Sequence, residues 1–248
     1  MSVRPPMRLD LAMVARGLVT SRARARDLIK RGFVRVSGEV VTKAGALVSE
    51  DADISVAGGE AAYVARSSGK LIAALDAFGF DPSGCVALDI GASTGGFTQV
   101  LLERGARRVY AVDVGHGQLH ERLAGEARVV NLEGRDARGL APEDVREPAG
   151  AIAVDVSFIS LRLILPHVMA FAAPGAWLVA LVKPQFEVGR DAVGKGGIVR
   201  DKAAQAGAIT AVRELVDTQP GWRTLAPIPS PLRGQGGNQE YLLGARHG

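Results

Sequence analysis

Asp155 and Lys183 follow the fourth and fifth of a series of short Val/Leu/Ala-rich segments, Glu240 borders the last one, and Lys70 stands just ahead of the first. A lysine amine kept partly neutral by a second cation and by burial, and oriented by carboxylates, can take a proton from a weakly acidic alcohol. Acting near neutral pH requires such an amine to titrate at roughly 7–8. Two lysines and two carboxylates therefore suit an alcohol acceptor such as a ribose 2′-hydroxyl. Any one of them alone would read as a surface charge, so the weight lies on their joint placement at segment ends.

A glycine-rich turn supplies the second chemical signal. The first segment ends in LDIGASTGGFT (residues 88–98), which should lead from a strand into a helix, and Asp113 closes the next segment 22 residues after Gly91. Glycines let a backbone approach a ligand closely, and an acid at the end of the second strand can accept hydrogen bonds from ribose hydroxyls. The G-x-G-x-x-G spacing of a dinucleotide oxidoreductase is broken, because Ser93 takes the second glycine position,. Asp89 before the turn and Asp113 after it fit a cationic amino-acid nucleoside, S-adenosylmethionine. Of the possible methyl acceptors, cytosine C5 is disfavoured because Cys85, the one cysteine, precedes the first strand,. An exocyclic amine is disfavoured because Asp155-Val156-Ser157-Phe158 stands where an Asn/Asp-Pro-Pro-aromatic clamp would be.

These residues need a scaffold of alternating elements. Strands are expected at residues 86–90, 108–113, 128–131, 151–155 and 177–182, with helices near residues 97–104, 116–123, 161–172 and 201–217. That order implies an α/β fold with an open, mostly parallel sheet, whose ligands sit beyond the carboxyl ends of its strands. Residues 163–182 run without Asp, Glu, Lys or Arg, long enough on paper to cross a bilayer,. Pro166, His167 and Pro174-Gly175 should split that run into a helix, a turn and a buried strand, so no membrane partner is expected. The lone cysteine and the charged, proline-containing N-terminus point to a cytoplasmic protein.

The net charge of +4 over 248 residues hides an asymmetry. Residues 1–43 carry ten Arg and Lys against three Asp and Glu, a net +7, and the remainder carries −3. A basic module beside a near-neutral one suggests a nucleic-acid partner. Within the module, Leu9, Leu11, Ala12 and Val14 suit a short helix closed by Gly17. Thr20 or Ser21 can cap a second helix that ends at Lys30 and is stopped by Gly32. Arg22, Arg26 and Lys30 fall on one face of that helix, with Ala25, Leu28 and Ile29 on another. Short strands should follow at residues 33–36, 40–41 and 54–56.

Residues 8–45, RLDLAMVARGLVTSRARARDLIKRGFVRVSGEVVTKAG, closely resemble the S4-type RNA-binding domain. Behind them, LDIGASTGGFT, AVDVGHGQL, DVSFISL, LVKPQFEVGR, GKGGIVRD and SPLRGQGGNQEYLL resemble the TlyA, or hemolysin A, family of ribosomal RNA 2′-O-methyltransferases. The catalytic half is similar to the wider FtsJ-like methyltransferases. The resemblance implies a class I, Rossmann-like S-adenosylmethionine methyltransferase sheet with a small N-terminal α+β S4-type domain, acting on cytidine ribose in small- and/or large-subunit rRNA. It divides the chain into an S4-type domain (1–60), a linker (61–70) and a methyltransferase domain (71–248).

Carried over by position, a Lys-Asp-Lys-Glu site falls on Lys70, Asp155, Lys183 and Glu240, with Lys183 as general base. Cofactor contacts fall on Asp89, Gly91, Ala92, Ser93, Thr94, Gly95, Gly96, Phe97, Asp113 and Asp136, and no metal is implied. RNA contacts are expected at Arg8, Arg16, Arg22, Arg26, Lys30 and Arg31, and at Arg190 and Lys195, with Ser157 and Arg200 as further candidates. Asp136-Ala137-Arg138 departs from the Asn-x-Arg expected after the third strand. Residues 187–200 could form a mobile lid. Two other readings stand beside this one: a membrane-active hemolysin, which the family's older name suggests, and a catalytically silent RNA-binding ribosome factor.

Overall fold

The structure, a computed structural model, describes residues 6–19, 21–30, 32–56, 63–234 and 236–248. The sequence readings at Thr20 and Arg31 lie outside the described residues, as do the side chains of Arg24 and Arg190. The chain forms two compact units, Met1–Tyr63 and Val64–Gly248.

In the first unit, strand β1 (Met7–Arg8) leads into helix α1 (Leu9–Ala15), followed by α2 (Arg22–Lys30), β2 (Val34–Val36), β3 (Glu39–Val40), β4 (Leu47–Val48) and β5 (Ile54–Val56). Strand β1 pairs with β4, and β2 pairs antiparallel with both β3 and β5. The β2–β3 turn places Ser37 and Gly38 at φ 52° and 85°, the left-handed geometry a two-residue hairpin requires,. Leu9, Ala12 and Met13 of α1 pack with Ala25, Leu28 and Ile29 of α2 over Val34, Val48 and Ile54. Both helices fall within a residue or two of the sequence expectation, and Gly17 and Gly32 sit past their ends with positive φ,.

In the second unit, α3 (Ser68–Phe78) precedes β6 (Val86–Ile90), α4 (Gly96–Glu103), β7 (Arg108–Asp113), α5 (Glu121–Ala124) and β8 (Val129–Glu133). There follow β9 (Ala149–Val154), α6 (Leu161–Met169), β10 (Ala172–Val182), α7 (Pro184–Glu187), α8 (Lys202–Thr218), β11 (Trp222–Thr224), β12 (Ile228–Pro229) and β13 (Tyr241–His247). The sheet order is β11-β13-β10-β9-β6-β7-β8. Strands β6 to β10 are mutually parallel, and β13 inserts antiparallel beside β10. Helices α6 and α8 cover one face around Leu88, Ile152, Leu178 and Leu243, while α3 lies toward the other, where Phe78 fills the space over Gly244. The first strand sits mid-sheet and the strand order reverses between β6 and β9, so a crevice opens beyond their carboxyl ends,.

Three elements depart from the sequence reading. Residues 68–70, read as the end of a linker, are the first turn of α3, because Leu71, Ala74 and Leu75 bury against the sheet. The helix expected at residues 116–123 is reduced to Glu121–Ala124. Ahead of it, Gln118 and Leu119 donate their amides to Glu133 Oε1 at 2.5 and 2.9 Å instead of to helical carbonyls. Those bonds, led by that from Leu119, hold the Glu133 carboxyl down to about 2. The run at residues 163–182 divides into a helix and a strand as expected, with Pro166 inside α6, but the strand begins earlier, at Ala172. Pro174-Gly175 falls inside the exposed start of β10, where the register with β9 shifts before Trp177.

Candidate active site

Backbone pairing puts the chemistry at the crevice. Ile90 and Val154 are partners in the β6–β9 ladder, so Gly91 and Asp155 emerge side by side, and the Asp155 amide donates to the Ile90 carbonyl at 2.9 Å. Gly91, at φ 85°, admits no side chain: a Cβ there would stand 2.5 Å from the Asp155 carbonyl oxygen. The turn continues through Ser93, whose φ of 47° is glycine-like. Its amide donates to Asp113 Oδ2 at 2.8 Å, and Asp113 Oδ1 accepts from the Gly115 amide at 2.8 Å. The missing second glycine is thus replaced by a serine held in the left-handed region by the same carboxylate that faces the crevice.

Four charged side chains meet there in a chain of contacts. Lys183, the residue after β10, places Nζ 2.6 Å from Asp155 Oδ1 and donates to Ser157 Oγ at 2.8 Å. Lys70, from the first turn of α3, places Nζ 2.6 Å from Glu240 Oε2 and 3.9 Å from Asp155 Oδ2. Lys70, Lys183 and Glu240 are buried, and Asp155 nearly so. Two lysines thus face two carboxylates in a largely buried site, where attractions are less screened than on the surface,. All four line a cavity of about 680 Å³ together with Gly91, Ala92, Ser93, Thr94 and Phe97. A neighbouring cavity of about 380 Å³ shares Gly91, Ser93 and Asp155 and is lined further on by Val112, Asp113, Gln118, Arg135 and Asp136. Acids at a strand end beside apolar side chains suit the ribose and base of a nucleoside, so S-adenosylmethionine fits the paired cavities.

Not every expected contact reaches the cavities. Asp89 is fully buried below the loop, where Oδ2 accepts from Thr98 Oγ1 at 2.6 Å. Burial pushes its carboxyl up to about 7, and among the described residues Oδ1 has no hydrogen-bond partner. Gly95 faces Leu119 and Leu123, and Gly96 faces Ala65, Ser67 and Ser68, so both serve packing. Asp136 lines the second cavity and also caps the turn Ala137–Gly139, accepting from the Arg138 amide at 2.9 Å. Ser157, a candidate RNA contact, instead bonds Lys183. Glu187 is committed to the start of α6, accepting from Ser160 Oγ and the Leu161 amide. The expected lid is pinned at its far end, where Asn238 accepts from the Val199 amide at 3.0 Å and donates to the Gly197 carbonyl at 2.8 Å.

Sequence reasoning missed Arg66, Gln185, Phe158 and Phe186 in the cavity wall. Phe158 is 91% exposed at φ 66° and packs its ring 5.2 Å from that of Phe186. Its place in the quoted DVSFISL stretch was the available signal.

A seven-stranded path with one inserted antiparallel strand, a glycine turn ending in an acid-anchored pocket, and paired lysines and acids define an S-adenosylmethionine-dependent methyltransferase. Comparison with known proteins narrows the class. Residues 63–247 match the FtsJ-like methyltransferase family and residues 7–54 match the S4 domain. The chain is 45% identical to the 16S/23S rRNA (cytidine-2′-O)-methyltransferase TlyA of Mycobacterium tuberculosis, over 96% of this chain and 89% of the relative. It is 39% identical to hemolysin A of Brachyspira hyodysenteriae, over 95% and 98%. A solved structure of a hemolysin-named protein from Streptococcus thermophilus superposes with a TM-score of 0.73 at 37% identity, covering 98% of this chain and 89% of that one. An O-methyltransferase of Bacillus cereus in complex with S-adenosylhomocysteine shares the fold alone, at 17% identity and a TM-score of 0.50, over 75% of this chain and 82% of that one. The chain belongs to the TlyA family of FtsJ-like methyltransferases. No helix among the described residues is long and apolar enough to cross a membrane.

Proposed function

We propose that this chain methylates the 2′-hydroxyl of a cytidine ribose in small- and/or large-subunit ribosomal RNA, with Lys183 as general base. The observation that carries this reading is the 2.6 Å contact of Lys183 Nζ with Asp155 Oδ1 inside a cavity that the glycine turn also lines. S-adenosylmethionine, when bound, supplies a methyl group made electrophilic by a positively charged sulfur. Lys183 takes the hydroxyl proton through its free amine, and Asp155 and Ser157 aim that amine and stabilise it once protonated,. Lys70, tied to Glu240 and near the other Asp155 oxygen, fixes the carboxylate's orientation and places a second cation beside the base,. Asp113 and Asp136 would hold the nucleoside end of the cofactor and the turn at residues 91–94 its amino-acid end.

The target's identity rests on the named relatives. That of Mycobacterium tuberculosis carries both rRNAs in its name, and that of Campylobacter jejuni, 36% identical over 73% of this chain, carries only the 23S. The test is transfer of labelled methyl to purified 30S and 50S subunits lacking the modification. Wild type should label at least one subunit and Lys183→Ala neither, while binding S-adenosylhomocysteine normally by calorimetry. Undiminished labelling by the variant removes Lys183 as the base. Absence of labelling by wild type, with the cofactor bound, favours the silent ribosome factor.

A further inference from the structure

Asp10 lies in the first turn of α1 with its side chain wholly buried, yet three arginines converge on it from two elements. Arg8 meets it with both arms of its fork, Nε to Oδ1 at 3.0 Å and Nη2 to Oδ2 at 3.1 Å. Arg22 Nη2 and Arg26 Nε, one turn apart on α2, reach Oδ2 at 3.2 and 3.0 Å. A single bidentate arginine would compensate one buried carboxylate. Three exceed it, leaving two net positive charges on one patch.

The arginines are not themselves submerged: their side chains remain 45%, 48% and 55% exposed. Asp10 occupies two of the five N–H groups of Arg8 and one each of Arg22 and Arg26, so among the described residues most of their donors stay available,. Arg8 is further fixed by lying against Gly45, where a Cβ would stand 3.4 Å from Nη1. Two other described arginines of the unit are engaged with backbone carbonyls. Arg16 donates to the carbonyls of Ser49, Glu50 and Ala52, and Arg35 to that of Gly38. A planar fork held in place loses less freedom when it meets a phosphate than a free side chain does.

We propose that Asp10 is the positioning residue of the arginines Arg8, Arg22 and Arg26, its buried carboxylate holding their forks preorganised for phosphate. The inference rests on the reading of the chain as an rRNA enzyme, whose RNA-facing arginines these are, and adds to it what holds them. Arg22 and Arg26, expected with Lys30 as one helix face, thereby join Arg8. They are a cluster built around an acid, and Arg16, expected beside them, belongs to the scaffold.

The proposal predicts a counter-intuitive sign. Asp10→Asn makes the protein more positive, so attraction by overall charge would strengthen RNA binding. Loss of positioning weakens it instead. The measurement is fluorescence anisotropy of the full-length chain with a labelled rRNA transcript over a salt series. Asp10→Asn should bind about tenfold more weakly, with a log K against log salt slope reduced by about one. Equal or tighter binding with an unchanged slope overturns the proposal. Should Asp10→Asn fail to fold in a thermal melt, the double variant Arg22→Lys with Arg26→Lys decides. It keeps charge and the pairing with Asp10 but loses the forks, so about tenfold weaker binding supports the site, and wild-type binding refutes it. Failure of wild type itself to bind any rRNA transcript is a separate outcome, and it overturns the rRNA reading together with the site built on it.

Discussion

Two clusters in this molecule are built around an aspartate among cations, and they differ in balance and exposure. Asp155 stands between Lys183 and Lys70, with Glu240 completing two lysines and two carboxylates, all buried or nearly so. Asp10 stands among three arginines that are about half exposed. Matched lysines and acids in a buried site let short contacts aim the amine at its acceptor, which is what proton transfer needs. Excess charge at the surface leaves the contacts to set geometry and the surplus to attract phosphate. The choice of cation agrees, since lysine can give up its proton and arginine cannot.

The sharpest way to break this comparison is to exchange the phenotypes. Lys183→Ala should lower methyl transfer at saturating substrate by about 10³-fold, within the usual range for loss of a general base. It should leave rRNA binding unchanged, whereas Arg22→Gln should weaken rRNA binding and leave transfer at saturating rRNA within about twofold. Single-turnover assays beside anisotropy separate the two, and matching losses of both properties in both variants would erase the distinction.

A smaller effect is expected in the cofactor site. Asp113→Ala removes the group that holds the Ser93 and Gly115 amides and faces the nucleoside pocket. Affinity for S-adenosylhomocysteine should fall roughly 10- to 100-fold, the worth of one or two charge-assisted hydrogen bonds. Calorimetry checks this, and unchanged affinity would place the nucleoside elsewhere.

The smallest effect concerns Asp89. Its carboxyl is raised from 3.8 to about 7 by burial, so the folded state holds a proton that the unfolded chain releases. Its contribution to stability is full below pH 4 and is lost as pH rises toward 7, at a slope of at most about 1.4 kcal/mol per pH unit. Asp89→Asn should flatten the thermal-melt profile of the full chain between pH 5 and 7. An unaltered slope would mean that Asp89 is ionised in the fold.

Much of this was legible in the residues. The strands from Val86 to Val182 announce themselves by composition, and the glycine turn with Asp113 announces a nucleoside site. Lys70 was harder. Ser67-Ser68-Gly69 lacks helix formers, and the helix begins there because Ser68 Oγ donates to the Gly96 carbonyl at 3.0 Å and Leu71 and Leu75 bury behind it,. Residues 116–120 read as helix on local pattern alone, but the Gln118 and Leu119 amides turn to Glu133, which lies on β8. The convergence of Arg8, Arg22 and Arg26 on Asp10 is tertiary in the same way. Periodicity places side chains on a helix face but does not say which neighbour they reach.

On the function proposed above, the buried Lys-Asp-Lys-Glu cluster readies a ribose oxygen to accept the cofactor's methyl group. Nucleoside mass spectrometry of rRNA methylated by the purified protein is the direct test. Wild type should form 2′-O-methylcytidine and Lys183→Ala none. A methyl group found on a base, or 2′-O-methylcytidine formed equally by both proteins, would contradict it.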